Sequence, residues 1–153
     1  SGLIDGARVA QPTLTAWREQ AELGRWIGEQ FGPGRTITSN NEDTRLAMYY
    51  AGGRRAWIAD QYVASAEAAA AADRSALPEL VVLWPQQHRP DAAAVARNIL
   101  RVRAELGYVQ VPSAQLPERC RHLTVLVQER CLAREHADAP RQPLFAVARQ
   151  AQD

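Results

Sequence analysis

The chain has 153 residues, 46% of them hydrophobic, which is enough for one ordinary buried core and too little for two independent domains. Its 18 basic and 17 acidic residues are interspersed and leave a net charge of +1, a balance that argues against the clustered basic surface of a nucleic-acid-binding protein. No apolar run approaches the roughly 20 residues needed to cross a bilayer, and no signal-peptide pattern opens the chain.

Leu14, Trp17, Ala21, Gly24, Ile27 and Phe31 recur at helical spacing, with Thr13 or Thr15 as cap and Gly32, Pro33 and Gly34 as stop, which predicts the first helix. Trp17 and Trp26 fall at unlike angles on it, so one is expected in the core and the other partly exposed. Residues 35–39 predict a short strand. Asn40, Asn41, Glu42 and Asp43 then supply the cap and first-turn acids of a second helix that runs to Tyr50 and stops at Gly52 and Gly53.

Ala56 to Ala59 predict a second strand, and the alanine-rich stretch from about Tyr62 to Arg74 predicts a helix on propensity alone. Leu80 to Trp84 is a short, continuous, β-branched run of the kind buried on both faces of a sheet, and Pro85 closes it. Pro90 and Asp91 open another helix whose apolar stripe is Ala92, Val95, Ile99, Val102 and Leu106, with Gly107 at the left-handed cap. Tyr108 to Val111 and Leu123 to Gln128 predict two more strands. The last is reached through a short proline-containing loop, which suits an antiparallel edge strand better than a crossover. Pro143 to Ala148 reads as one more edge strand or a short helix.

This alternation predicts one α/β domain over residues 1–153, with its core at about 14–130. The expected architecture is three-layered: a mainly parallel, doubly wound sheet, flavodoxin-like or half-Rossmann, with an antiparallel edge strand. In such folds ligands bind beyond the C-terminal ends of the strands. Asn40, Asn41, Asp60, Gln86 and His88 therefore form the candidate polar pocket.

Reactive chemistry is harder to find. The glycines at 32 and 34 precede the first strand, where they cannot cradle a phosphate, and Glu42 and Asp43 at the following helix start repel an anion. His88, His122 and His136 lack metal-ligand spacing, and no serine lies in a nucleophile elbow. Trp57 and Trp84 read as strand residues used in packing. Cys120 and Cys131 flank a predicted strand whose ends lie over about 20 Å apart, which favours two free thiols over a bridge. Neither a catalytic residue, nor a metal site, nor a cofactor is expected. The chain begins Ser1, Gly2 and its only methionine is Met48, which suggests a piece of a larger protein.

Three stretches occur in a suggestive order: Leu23, Gly24, Arg25, Trp26, Ile27; then Phe31, Gly32, Pro33, Gly34, Arg35, Thr36, Ile37; then Leu46, Ala47, Met48, Tyr49, Tyr50, Ala51, Gly52, Gly53. With the later valine-valine-leucine strand, residues 16–130 resemble the soluble C-terminal domain of bacterial membrane glycosyltransferases of the dolichyl-phosphate-mannose-protein mannosyltransferase-like (GT-C) class. The resemblance implies a parent in the bacterial cytoplasmic membrane that uses a polyprenyl-phosphate-linked sugar. It implies that this domain lies on the periplasmic or extracellular side, partnered by the membrane part of the same polypeptide and aiding acceptor or carrier positioning. The family's catalytic acid lies in the membrane part, so no catalytic residue carries over. The alternatives are a free-standing ligand-binding or regulatory domain and a protein-interaction module.

Overall fold

Hydrophobic side chains alternate across the strands so that each face of one sheet has its own core. Leu80, Val82, Val109, Val111, Val125 and Val127 point to one face, and Val81, Leu83, Tyr108 and Leu126 point to the other. Two buried faces require two covering layers. The computed structural model describes residues 2–41, 43–85 and 90–132.

The first layer is α1 (Gly2–Phe31) and α2 (Arg45–Ala51), which cover one face through Leu23, Trp26, Ile27, Phe31, Ala47 and Ala51. The second is α3 (Ala66–Ala71) and α4 (Pro90–Arg101), which cover the other through Ala69 and Ile99, continued by Val102 and Leu106. Between them run β1 (Thr36–Ser39), β2 (Arg54–Arg55), β3 (Leu80–Leu83), β4 (Tyr108–Gln110) and β5 (Thr124–Gln128) in the order β2-β1-β3-β5-β4. β1 pairs parallel with both β2 and β3, whereas β5 pairs antiparallel with β3 and β4.

The antiparallel strand is therefore interior and not at the edge. Its four residues Val125 to Gln128 are all buried, as a strand paired on both sides and covered on both faces must be. The exposed edge is β2, where two arginines face solvent. β2 also lies two residues before the predicted strand, because the chain enters the ladder directly after α2: the Arg54 N–H donates to the Arg35 carbonyl at 2.8 Å. The last ladder-like bond, from the Ala56 N–H to the Ile37 carbonyl, comes at 2.9 Å.

Two further differences stand out. α1 begins at Gly2, well before the predicted cap, and Leu14 is 52% and Trp17 53% exposed while Trp26 is buried. The alanine-rich stretch breaks into a 3-10 turn over Asp60–Val63, the short α3 and another 3-10 turn over Arg74–Ala76. Ser65 sets the start of α3 by accepting from the Ala68 N–H at 3.0 Å, and Asp73 organises the next turn through Ser75, so capping overrides alanine propensity. Residues 143–148 lie outside the described residues.

Two glycines carry the packing. A Cβ on Gly24 would stand 2.4 Å from the Ala47 carbonyl oxygen and 2.8 Å from the Tyr50 Cβ, so α2 sits directly against the backbone of α1. Gly107 adopts φ +85°, the left-handed stop expected after α4, with the Arg74 side chain laid over it.

The N-terminal end of the parallel strands is closed by polar groups that satisfy one another. Arg35 and Glu79 form an ion pair at 2.7 Å, both side chains largely buried. The Thr36 N–H donates to Glu79 Oε1 at 3.3 Å, and Thr36 Oγ1 accepts from the Glu79 N–H at 3.0 Å. Beside them the Tyr108 hydroxyl donates to the Pro78 carbonyl at 2.6 Å, and Gln128 Nε2 donates to the Leu106 carbonyl at 3.0 Å.

Candidate functional site

At the opposite end of the sheet the layers part. α2 covers one face after β1 and α4 covers the other after β3, so chain crossovers leave the strand ends in opposite directions and open a crevice there. A cavity of about 550 Å³ occupies this side, within the range of small-molecule sites. Its floor is Thr38 and Ser39 of β1, its far wall is Asp91, Val95, Asn98 and Ile99 of α4, and its rim is Arg55, Trp57, Ile58 and Asp60.

Of the residues expected from sequence, Asn40, Asn41 and Asp60 line this cavity, and Gln86 and His88 lie outside the described residues. Asn40 is mainly structural. It is 6% exposed, and its carboxamide extends the β1–β3 ladder by donating to the Trp84 carbonyl at 2.9 Å and accepting from the Trp84 N–H at 2.8 Å. Asn41 forms an Asx turn, its Oδ1 accepting from the Asp43 N–H at 3.1 Å. Asp60 is exposed at the mouth.

The residue most in need of correction is Trp57. It lies beyond β2, outside any strand, and 68% of it is exposed on the cavity rim. Arg55 holds the indole from one side, with its guanidinium carbon 4.6 Å from the ring centroid. Arg55 itself is anchored to Thr44 Oγ1 at 2.9 Å and to the Asn41 carbonyl at 3.3 Å. Val95 also departs from expectation: it belongs to the wall of the cavity and is 43% exposed, whereas its helical spacing assigns it to the core stripe. The double arginine before Trp57 is the one sequence signal for this arrangement, since a strand of two charged residues cannot be buried.

The charge of the lining is lopsided. Among the described residues, Asp43, Asp60 and Asp91 line it together with Arg55, and Asp43 is also paired with Arg45 at 3.6 Å. Asp91 lies in the first turn of α4, where it offsets the positive helix end that would otherwise attract an anion. Among the described residues, no group of three or more histidine, cysteine or acidic side chains is placed to hold a metal ion.

Neither thiol lines the cavity. Cys120 and Cys131 are free and buried. Burial, reinforced by the Glu19 and Glu22 charges, pushes the Cys120 thiol up to about 12. Burial and neighbouring Glu79 push Cys131 up to about 11, so both stay protonated at neutral pH. His122 is bound to Glu19 at 3.2 Å, and Glu19 also accepts from the Trp84 indole N–H at 2.6 Å, a clasp that ties α1 to the end of β3. His88 and His136 lie outside the described residues.

The described residues contain no helix long and apolar enough to cross a membrane. Comparison of the chain with family models, curated proteins and solved structures finds no match.

Proposed function

We propose that this domain is a non-catalytic, ligand-positioning unit of an integral-membrane glycosyltransferase that uses a polyprenyl-phosphate-linked sugar, set on the periplasmic or extracellular side of the bacterial cytoplasmic membrane. The carrying observation is the strand-end cavity, a concave, partly apolar space ringed by amides, carboxylates and an exposed tryptophan, with the molecule's thiols protonated and buried well away from it. Such a site can hold and orient a molecule, and among the described residues neither thiol lines it. The resemblance over residues 16–130 adds the parent: Gly24, which that motif contains, is the point where α1 and α2 touch. We read the fold as a flavodoxin-like sheet in its β2-β1-β3 half, altered by the insertion of antiparallel β5 before β4.

Two experiments test this reading. A hydropathy profile with a window of about 19 residues over the reading frame upstream of Ser1 should contain several spanning helices, with an acidic residue in the first outer loop. A start codon a few residues upstream contradicts the parent and leaves a free-standing ligand-binding domain, which the same cavity supports. Incubating the 153-residue chain with a polyprenyl-phosphate sugar and acceptor should give no transfer, and transfer by the chain alone overturns the non-catalytic assignment.

A further inference from the structure

We infer that the strand-end cavity binds a neutral, hydroxyl-rich ring, a saccharide unit, which stacks on the open face of Trp57 and is held by the carboxylates and amides opposite. This rests on the cavity being the positioning site proposed above, and it commits that site to one ligand chemistry.

Three observations converge on this class. The first is the combination of exposed apolar and polar groups around one space. Trp57 and Val95, two of the large hydrophobic residues left exposed among those described, both line it, and Asp60, Asp91 and Asn98 line it with them. A sugar ring presents the matching surfaces: an apolar, weakly positive C–H face for the electron-rich indole, and hydroxyls around the rim that donate to carboxylates in charge-assisted hydrogen bonds.

The second is charge. Among the described lining residues Asp60 and Asp91 stand beside Arg55, with Asp43 paired to Arg45 at 3.6 Å, and Asp91 offsets the positive end of α4, so the described lining offers an anion no excess of positive charge. The third is the position of Arg55. Its guanidinium already lies over the Trp57 ring. An ammonium ligand on the other face is repelled by that charge, whereas a neutral ring is not. The anchoring of Arg55 to Thr44 and Asn41 also fixes the plane of the indole before any ligand arrives, which lowers the ordering cost of binding.

The test is a ¹⁵N–¹H NMR titration of the 153-residue chain with glucose, mannose and N-acetylglucosamine, and separately with inorganic pyrophosphate. At least one sugar should shift the Trp57 indole N–H together with the amides of Ser39, Asn41 and Asn98. Trp57→Ala should weaken that binding by roughly tenfold while leaving the remaining spectrum folded. Asp60→Asn, which keeps the shape and removes the charge, should weaken it a few-fold.

Pyrophosphate shifting these signals while the sugars do not overturns the ligand class but leaves a positioning site in place. Sugar shifts mapping to another surface, or no sugar shift at millimolar concentration, overturn the inference altogether. None of these outcomes touches the membrane-enzyme parent, which stands or falls on the upstream sequence. A sugar-binding cavity without upstream spanning helices keeps this inference and removes the parent.

Discussion

The two ends of the sheet use polar side chains in opposite ways. At the N-terminal end of the parallel strands, Arg35, Thr36, Glu79, Tyr108 and Gln128 bind one another or nearby backbone. At the C-terminal end, Asn41, Asp60, Asp91 and Asn98 surround a cavity, beside a tryptophan that remains mostly in water. Closed polar networks stabilise and specify a fold, whereas a concave space lined by a few polar groups is the usual form of a ligand site. One end holds the molecule together, and the other is where we propose that a ligand sits.

Substitutions should separate the two roles. The largest effect belongs to Glu79→Ala, which leaves Arg35 largely buried without its partner and should cost about 3 kcal/mol, read as a lower urea midpoint. Gly24→Ala should cost about 2 kcal/mol by the same measurement, because its methyl group meets the backbone of α2 and the helices must move apart. Asn40→Ala breaks the bridge to Trp84 and leaves both backbone groups of that residue unpaired, a loss of about 1–2 kcal/mol. It should loosen the cavity end as well as weaken the β1–β3 ladder.

Acid should act on the closed end first. Burial raises the Glu79 carboxyl, but the Arg35 guanidinium, the Thr36 N–H and the Cys131 thiol outweigh it and hold its pKa below the ordinary glutamate value. A lowered folded-state pKa gives stability that is fully present above the unfolded value and is lost as pH falls through the folded one. The melting temperature of the native chain should therefore drop between about pH 5 and pH 3, and Glu79→Gln should flatten the part of that drop due to this group. The smallest effect on stability is that of Trp57→Ala, within about 0.5 kcal/mol, because little of the ring is buried.

Much of this fold was legible because its signals are local. Leu80 to Leu83 and Thr124 to Gln128 read as strands from their β-branched runs, and Gly52 and Gly107 mark helix stops through left-handed backbone that only glycine adopts cheaply. Pairing is not local. Nothing in the run from Thr124 to Gln128 says that it inserts between β3 and β4, since interior and edge strands differ in their neighbours and not in their own pattern.

The cavity was half legible for the same reason. The strand-end rule finds Asn40, Asn41 and Asp60 because it depends only on where strands stop. It misses Trp57 and Val95, which carry hydrophobic signatures and are exposed only because the layers part above them. It also overrates Asn40, whose amide is needed by the sheet.

The most direct test of the division between the ends is to measure saccharide affinity and unfolding free energy on the same samples of Glu79→Gln and Trp57→Ala. The account predicts that Glu79→Gln loses stability yet binds N-acetylglucosamine, or whichever of the three sugars binds the native chain, with unchanged affinity. Trp57→Ala should keep its stability and lose binding. Equal loss of both quantities in both variants, or no sugar binding by the stable native chain, would contradict it.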